Sequence, residues 1–463
     1  MSDSGLSIAA SGLEADRSAM DAIANNLSNV NTPGYAAESA NLTTSASYDA
    51  LGVGSGVTVL NIGQASDAML SADALSASAS SAGSSALQQV LTTVQNVFPE
   101  PGSNGISAQL ATFWSSWDAV ASNPSETAPR TEVINQAQNI ASALNQASAE
   151  LTQTASTTTS QVSSNISEVN TLLTQVAALN QSIVTSQASG ATPNALIDQQ
   201  NSIIQQLGQD IGVTTRSQPN GSTNVYVGGV QLVQGDSADS LSVASSGTPA
   251  TLSIVSNVSG ATVPMSSGTV AGLMRAVNVD IPAYQQQLDS VATALATTVN
   301  TQLGKGYDAS GNTDVGAGSG VGPDNSAPLF VIGSGPGAAA TIGVNAALVA
   351  NPQLLAAASA SSNGANDGSN AQAMAELGTS PGGPDQTYNT FITTLGSQVQ
   401  TVTSQSQSQQ ALSQSLQSSL GSVIGVNTDQ QTVDMLGYQQ AYQASAKVIS
   451  TIDTMVQSLL SAT

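Results

Sequence analysis

The sequence predicts a mainly α-helical protein with a small β domain, built as an elongated molecule of several domains. Both ends of the 463-residue chain carry apolar residues at alternating spacings of three and four. That spacing is typical of an amphipathic helix that packs against one partner helix. Short β-branched segments separated by Gly and Asn turns lie between them, within residues 211–268. A chain of this length has room for about two to four domains.

The N-terminal pattern predicts a helix over residues 4–30. Its seam is predicted to contain Leu6, Ala10, Leu13, Arg17, Met20, Ala24 and Leu27. Pro33 disfavours helical geometry at the residue before it, and Gly34 permits a turn, so the helix should end there. Residues 36–66 are then expected to be extended.

The C-terminal pattern predicts a last helix over residues 429–461, opened by a candidate capping box at Thr428 and Gln431. Its stripe consists of Tyr442, Ala446, Ile449, Val456 and Leu459, flanked by Ile452 and Leu460. Because both terminal stripes are narrow, we expect the two ends of the chain to pair as a coiled coil.

Arg17 interrupts the N-terminal stripe with a charge. Such a residue in a helix seam often specifies the partner at a cost in stability. Alternatively, its aliphatic stem packs while the guanidinium reaches solvent. The sequence leaves both interpretations open.

The interior is predicted to be helical from about residue 67 to 207. Phe113, Trp114 and Trp117 follow Leu110 at helical spacing, which favours a packed core over a sugar-stacking surface. Separate helices are expected over residues 131–151 and from Val162 to Ile183. Asn180 interrupts the second stripe, and a polar residue there often fixes helix register.

A long helix is expected over residues 272–304, followed by a Gly-rich loop region, and helix returns near Gln386. This order predicts three nested domains. The inner domain comprises residues 1–66 and 426–463. The helical middle domain comprises 67–210, 269–303 and 360–425, and the β-rich outer domain comprises 211–268 and 304–359.

Composition argues against several classes of function. Six Lys and Arg stand against 29 Asp and Glu, a formal net charge of −23, which disfavours binding to nucleic acid or anionic membranes. With no Cys or His, the chain has no disulfide, thiolate or imidazole metal site, or His-based triad. It lacks a run of about 18 apolar residues, so no membrane-spanning helix is expected.

The first residues lack the basic segment and apolar run of a Sec-type signal peptide, so any export is expected to use another route. Asp308, Ser310, Asn312 and Asp314 have the alternate spacing of a calcium loop. The loop lacks the Gly and the bidentate Glu of an EF-hand, and a turn-rich surface loop is the favoured interpretation. With acidic residues thinly scattered, we expect no enzymatic activity, cofactor or metal.

Two terminal segments closely resemble bacterial flagellar rod, hook and hook-associated proteins. These are ANNLSNVNTPGY at residues 24–35, and YQQAYQASAKVI at residues 438–449. Within that superfamily, FWSSW at 113–117 and SNPS at 122–125 resemble the family of the first hook-associated protein, which joins hook to filament. Gln430, Gln431 and Ala36 depart from the usual pattern and weaken any assignment of particular intersubunit ion pairs.

The resemblance implies a structural subunit of the extracellular flagellum, exported through the flagellar type III apparatus without a cleaved signal peptide. It implies self-association, contacts with hook protein and with a second junction protein or filament components, and an export chaperone at the C-terminal helix. The predicted assembly interface is Leu6, Leu13, Arg17, Met20, Leu27, Asn31, Pro33, Gly34, Tyr35, Tyr438, Tyr442, Ala446, Ile449, Val456 and Leu459. The alternatives are another flagellar subunit of the hook or distal rod, and a secreted enzyme carried on such ends.

Overall fold

The computed structural model describes residues 2–45, 54–247, 250–310 and 328–461, with their side chains except at 2–4, 362–364 and 459. Within these ranges helices dominate, which confirms the predicted mainly α class. Helices α1 to α12 span Ser2–Asn29, Ala68–Val97, Ile106–Ser122, Thr127–Ala188, Asn194–Ile211, Thr269–Arg275, Ile281–Leu303, Ala338–Thr341, Ala346–Ala350, Ser369–Ala375, Pro384–Ile424 and Thr428–Ser461. A π-helical turn, Ala276–Asp280, joins α6 to α7.

The strands form small antiparallel sheets. Strands β1 to β10 span Glu38–Thr44, Val57–Gln64, Thr214–Ser217, Thr223–Val227, Val230–Gln234, Ser237–Ala238, Leu241–Ser246, Thr251–Ser256, Phe330–Ile332 and Ile342–Val344. They pair as β1–β2, as β3–β4–β5–β6, as β7–β8 and as β9–β10. Gly228 and Gly229 both have positive φ, which allows the tight turn between β4 and β5.

Helix α4 corrects the prediction of two separate helices between residues 131 and 183. It is one helix of 62 residues, roughly 90 Å long at 1.5 Å per residue. The polar stretch between the two stripes stays helical because Leu151, Thr158 and Val162 continue the buried face. The Thr158 hydroxyl donates to the Thr154 carbonyl within the helix, over 2.7 Å, so its burial leaves no unsatisfied group.

The aromatic helix α3 lies in the core, as predicted. Trp117 and Phe113 are fully buried, and Trp114 is 6% exposed. The Phe113 ring contacts Trp114 at a centroid distance of 4.9 Å and Phe330 of β9 at 5.9 Å. Trp114 Nε1 donates to Asp385 Oδ2 over 2.7 Å, which ties α3 to the start of α11. The pair therefore serves packing, and no open sugar-stacking face is present at these two rings.

Asn180 is fully buried, and it contacts both a neighbouring helix and a strand. Its Nδ2 donates to the carbonyls of Thr223 and Gly235, over 2.9 and 2.7 Å. Its Oδ1 accepts from Thr223 N at 2.7 Å and from Gln200 Nε2 at 2.8 Å. The side chain thus joins α4 to α5, as expected of a polar residue in a helix seam, and it also positions the β4–β5 hairpin on α4.

Other asparagines dock strands on helices in the same way. Asn170 of α4 donates to the carbonyl and accepts from the N–H of Leu241, over 2.9 and 2.7 Å. Asn278 in the π-helical turn makes the equivalent pair with Leu252, over 2.9 and 2.8 Å. A carboxamide offers one donor and one acceptor side by side, so it substitutes for a neighbouring strand.

Helices α2 and α11 run antiparallel and connect the middle of the molecule to its ends. Phe98 meets Phe391 edge-on at a centroid distance of 4.9 Å, and the Ser85 and Ser406 hydroxyls lie 3.2 Å apart. Beyond their far end, Ala37 N donates to the Ile424 carbonyl over 2.8 Å. This pair brings the N-terminal and C-terminal helices to one place.

The predicted surface loop after α7 begins at a buried residue. Asp308 is 3% exposed, and its Oδ1 accepts from Ser310 N at 2.8 Å. The negative charge of Asp308 partly offsets the effect of burial, which lowers the pKa of the buried Arg130. Asn312 and Asp314, the rest of the candidate calcium loop, lie outside the described residues.

None of the helices within the described ranges carries an apolar stretch long enough to cross a membrane.

Candidate assembly interface

Helices α1 and α12 pack against each other along their length, in antiparallel orientation. A Cβ on Gly5 would lie 3.4 Å from Ile452 Cδ1, and a Cβ on Gly12 would lie 3.3 Å from Ser445 Oγ. Further along, Asn26 hydrogen-bonds Gln431. Each step of seven residues along α1 is matched by a step of seven back along α12. The helices therefore keep one heptad register from end to end.

The α1 face that meets α12 differs from the predicted seam. Glycine occupies the facing positions 5 and 12, and small residues are buried around them. The buried residues of α1 are Ala9, Ala15, Ala19, Ala22, Ile23 and Asn26. Leu13, Met20 and Leu27 are half-buried on the flank, and Leu6 is 40% exposed. The seam is thus displaced by one residue, roughly 100° around the helix.

Close approach of the two backbones explains this displacement. Interaxial distance depends on the side chains at the contact, and glycine and alanine allow the shortest distance. The larger residues then border the contact and leave part of their apolar surface outside it. A signal for this face was present in the sequence, since Gly5, Gly12, Ala19 and Asn26 recur every seven residues.

Helix α12 is buried less than its partner. The predicted residues Tyr438, Ala446 and Ile449 are half-buried, together with Ile452. Tyr442 and Val456 are exposed, and the Leu459 side chain lies outside the described residues. Five large apolar side chains of α12 are more than 45% exposed: Val433, Leu436, Val448, Met455 and Leu460. None of the described side chains of α12 is fully buried, so much of its apolar surface faces outward.

Arg17 lies outside the seam in this structure. Its Nε lies 3.8 Å from Asp21 Oδ2, and both side chains are about three-quarters exposed, at 77% and 75%. An exposed pair at this i,i+4 spacing contributes only about 0.3–0.5 kcal/mol. The guanidinium reaches solvent in the single chain, but so does most of the side chain, so the predicted packing of its stem is not seen. A role for Arg17 in specifying a partner copy stays a prediction.

Asn26 is the polar centre of the terminal pair, and sequence reasoning did not single it out. It is fully buried. Its Nδ2 donates to the Glu38 carbonyl at 2.8 Å and to Gln431 Oε1 at 2.9 Å. Its Oδ1 accepts from the Tyr35 hydroxyl and from Glu38 N, each at 2.8 Å. One amide thus joins α1, the first turn, β1 and α12 with all its bonds satisfied.

The turn after α1 makes these contacts reachable. Asn31, Pro33 and Gly34 are exposed, and Gly34 has φ +81°, which allows the chain to reverse. The reversal brings the half-buried Tyr35 back against Asn26. Burial raises the pKa of the Tyr35 hydroxyl, and the negative charges of Glu38 and Asp198 raise it further.

The start of α12 also differs from the prediction. Asn427 Oδ1 accepts from the N–H groups of Asp429 and Gln430, each at 3.1 Å, so Asn427 caps the helix. The expected Thr428 capping box is wrong. Gln431 is free to bond Asn26 because the cap does not use it.

The described part of the chain contains no cluster of potential metal ligands. No group of three or more Asp or Glu residues there is placed to hold a metal ion. The raised carboxyl pKa values belong to separate sites: Asp198, Asp210, Asp280 and Asp385 have burial as their first cause, as does Asp16. The most extensive candidate site is therefore the surface of the terminal pair.

Three family models match separate parts of the chain. Residues 91–317 match the flagellar hook-associated protein FlgK helical domain. Residues 6–35 match the flagella basal body rod protein family, and residues 422–462 match the C-terminal family of the flagellar basal body rod FlgEFG proteins. The two terminal matches coincide with α1 and α12.

Relatives point the same way. Flagellar hook-associated protein 1 of Salmonella typhimurium is 25% identical over 316 residues, covering 66% of this chain and 57% of that protein. The Escherichia coli protein of that name is 24% identical, with 66% and 58% covered. The Bacillus subtilis one is 22% identical over 218 residues, with 45% and 43% covered. This chain thus spans less than two thirds of the length of those relatives.

A solved structure has the same fold. The flagellar hook junction protein FlgK from Burkholderia pseudomallei aligns with TM-score 0.63 at 19% identity, covering 76% of this chain and all of that one. The helical-domain match, the named relatives and this fold agree with the terminal pair described above. The chain is thus similar to the FlgK family of flagellar hook-associated proteins over its helical region, and to flagellar rod families at its two ends.

Proposed function

We propose that this chain is a structural subunit of the flagellum that forms the junction between hook and filament. The observation that carries the proposal is the terminal pair: the two ends share one heptad register, while α12 leaves Val433, Leu436, Val448 and Met455 exposed. Val448 and Met455 lie seven residues apart on one face of α12, and exposed apolar side chains on one helix face favour an interaction surface. The printed names of the relatives, hook-associated and hook junction protein, support the location.

The occupant of that face is proposed to be another copy of the chain and its neighbours in the flagellum. The predicted interface residues, from Leu6 to Leu27 on α1 and from Tyr438 to Leu459 on α12, would bury their free sides between copies. Hook protein, a second junction protein or filament components, and an export chaperone at α12 complete the proposed partners. The role is structural and not catalytic.

The ends are proposed to order on assembly. The shallow burial of α12 supports this, since a helix without buried side chains gains little from its intramolecular partner. We also propose export through the flagellar type III route without a cleaved signal peptide. NMR of the free chain should show mobile termini beside a rigid middle; rigid ends in the free chain would contradict ordering on assembly.

Localisation tests the proposal. In a strain lacking this chain, the wild-type protein should restore motility, and gold-labelled antibody should mark the boundary between hook and filament. The Ile449→Asp variant should be exported but fail to support filament growth. Label spread along the rod or hook instead would favour the alternative flagellar subunits.

A further inference from the structure

Helix α1 carries a second row of apolar residues beside the face that meets α12. The outer α1 row consists of Leu6, Leu13, Met20 and Leu27, spaced seven residues apart. Leu6 is exposed, and the other three are half-buried. Each lies one residue beyond a contact position such as Gly5 or Gly12, so the row is rotated by roughly 100° from α12. The β1–β2 hairpin covers the other side of α1, where Val57 N donates to Ser11 Oγ over 3.2 Å. The outer α1 row is therefore partly open to solvent.

Helix α12 carries a similar row. The outer α12 row consists of Ala441, Val448 and Met455, also spaced seven residues apart. All three are exposed, Val448 at 48% and Met455 at 56%. Val448 and Met455 lie three residues beyond Ser445 and Ile452, which face α1. Three residues correspond to a rotation of roughly 60° in the opposite sense to that of the outer α1 row.

The two rows lie on opposite sides of the terminal pair. Because α1 and α12 are antiparallel, rotations of opposite sense about their axes turn the rows away from each other. Neither row therefore covers the other within one chain. A second copy in the same orientation would bring its outer α12 row against the outer α1 row of the first. A twofold pair of copies would instead bring like rows together.

Charge favours contact between unlike rows. Glu14 follows Leu13 of the outer α1 row, and Lys447, the one basic residue of the α12 sequence, precedes Val448 of the outer α12 row. Glu14 and Lys447 are both exposed, and within the described residues neither forms a salt bridge. Contact between unlike rows brings these opposite charges together at the flank, where ion pairs select the partner helix. Contact between like rows would place each charge near its own kind, and like charges repel.

One antiparallel register satisfies the charges and the apolar rows together. It sets Glu14 opposite Lys447, and each step back along α1 is then matched by a step forward along α12. The facing pairs of the two rows are Leu13 with Val448, Leu6 with Met455, and Met20 with Ala441. In the last pair a small residue faces a large one, which lets the helices approach closely.

We propose that the outer α1 row of one copy packs antiparallel against the outer α12 row of the next copy, with Glu14 facing Lys447 across the contact. The contact is head-to-tail, so it propagates around a ring or along a helical layer. This inference rests on the proposed assembly of the chain in the flagellum. It adds to that assembly the two faces that meet and the register in which they meet.

Cysteine cross-linking in isolated flagella tests the contact, because the chain has no native cysteine. Mild oxidation of the Leu13→Cys, Val448→Cys double variant should give a ladder of dimers, trimers and larger species on a non-reducing gel. The two positions lie on opposite sides of their own pair, so the disulfide forms between copies. Leu6→Cys with Met455→Cys should give the same ladder. Leu13→Cys with Met455→Cys, one heptad out of register, is the matched control and should stay monomeric.

Exchange of the two charges tests the register independently. Glu14→Lys and Lys447→Glu should each reduce swarming, because each variant places like charges against each other. The double variant should recover swarming, since it restores an opposite pair. Lys305→Glu makes the same change at an exposed lysine outside the terminal pair and should leave swarming unchanged.

The outcomes separate this contact from the proposed function. If antibody finds no copy of the chain in isolated flagella, the proposed function is wrong and this inference with it. If the chain is present but neither in-register cysteine pair gives a ladder, the head-to-tail contact alone is overturned. Dimers formed by Leu13→Cys or by Val448→Cys alone would overturn it in the same way, because they require contact between like rows. Failure of the double charge variant to recover swarming would overturn the register.

Discussion

Asn26 Nδ2 donates to Gln431 Oε1 across 2.9 Å, and the two residues are 405 positions apart in sequence. The bond closes the whole chain into one loop at the base of the terminal pair. It lies where α1 ends and α12 begins, so it also sets the register of the helices that follow. The pairing of the two ends is consequently fixed by a polar contact and by small residues more than by leucines.

Removing the Asn26 amide should loosen this end of the molecule. Asn26→Ala leaves buried groups of Glu38, Tyr35 and Gln431 without their partner, at a cost of about 1–3 kcal/mol. Hydrogen exchange should accelerate in β1 and in the first turns of α12. Asn25→Ala is the control, since Asn25 is exposed and its side chain donates to Glu38 Oε2. Equal effects of the two variants would argue against a central role for Asn26.

Enlarging Gly12 should separate the terminal helices. A Cβ added at Gly12 would lie 3.3 Å from Ser445 Oγ, so the longer side chain of Gly12→Leu fits only if α12 shifts. Limited proteolysis should release α12 faster than in the wild type. The neighbouring Leu13→Ala, on the flank, should have a smaller effect. If the Gly12→Leu variant assembles into flagella normally, the contact between α1 and α12 must lie elsewhere.

Loss of the Asn180 side chain should detach the β4–β5 hairpin from α4. Asn180→Leu keeps the side-chain volume but leaves the buried N–H and carbonyl of Thr223 and the Gln200 amide without their hydrogen-bond partner. We expect the free energy of unfolding to fall by about 2 kcal/mol or more. Urea denaturation measures it. Gln181→Ala, at the exposed neighbouring position, should change stability by less than about 0.5 kcal/mol.

Acid should stabilise the body through Asp210. Burial, with the charge of Glu168, raises the pKa of this carboxyl to about 6. Because the pKa of Asp210 is higher in the folded chain than in the unfolded chain, protonation of this carboxyl stabilises the fold. The stabilisation is complete below the unfolded-state pKa and is lost as pH rises through about 6. Asp210→Asn should therefore raise stability at neutral pH, by roughly 1 kcal/mol after allowance for solvent screening. It should also flatten the pH dependence between about 4 and 6. An unchanged pH profile would exclude this contribution.

The predicted interface itself can be tested on its two helices. Leu13→Asp and Ile449→Asp should leave the middle of the chain folded, because neither residue contributes to the main core. Both should block filament growth by placing a charge in the proposed contact between copies. Circular dichroism checks folding, and swarming checks assembly. Normal motility in both variants would count against the interface.

Sequence periodicity predicted where helices lie better than it predicted which face they bury. It located α1, α12 and the Trp-containing α3, because apolar spacing reports amphipathicity directly. It misplaced the α1 seam because it ranked positions by hydrophobicity, whereas helices that approach closely select Gly5 and Gly12 for their size. It divided α4 in two because residues 152–161, which are rich in Thr, interrupt the apolar stripe.

Buried asparagines account for the remaining differences. Nothing in the local sequence distinguishes Asn26 from the exposed Asn25, or shows that Asn180 meets a strand more than forty residues away. These contacts depend on tertiary structure, so a single sequence shows the donor without its acceptor. The resemblance of residues 24–35 to flagellar proteins signalled importance there but not the hydrogen bonds.

The register of the terminal pair in working flagella is the most direct test. Gly12→Cys combined with Ser445→Cys should form a disulfide on mild oxidation of isolated flagella, since the two side chains face each other. Gly12→Cys with Ile452→Cys, one heptad away, should not. If flagella that contain the variants form the disulfide only in the second pair, or in neither pair, the proposed pairing of the two ends is contradicted.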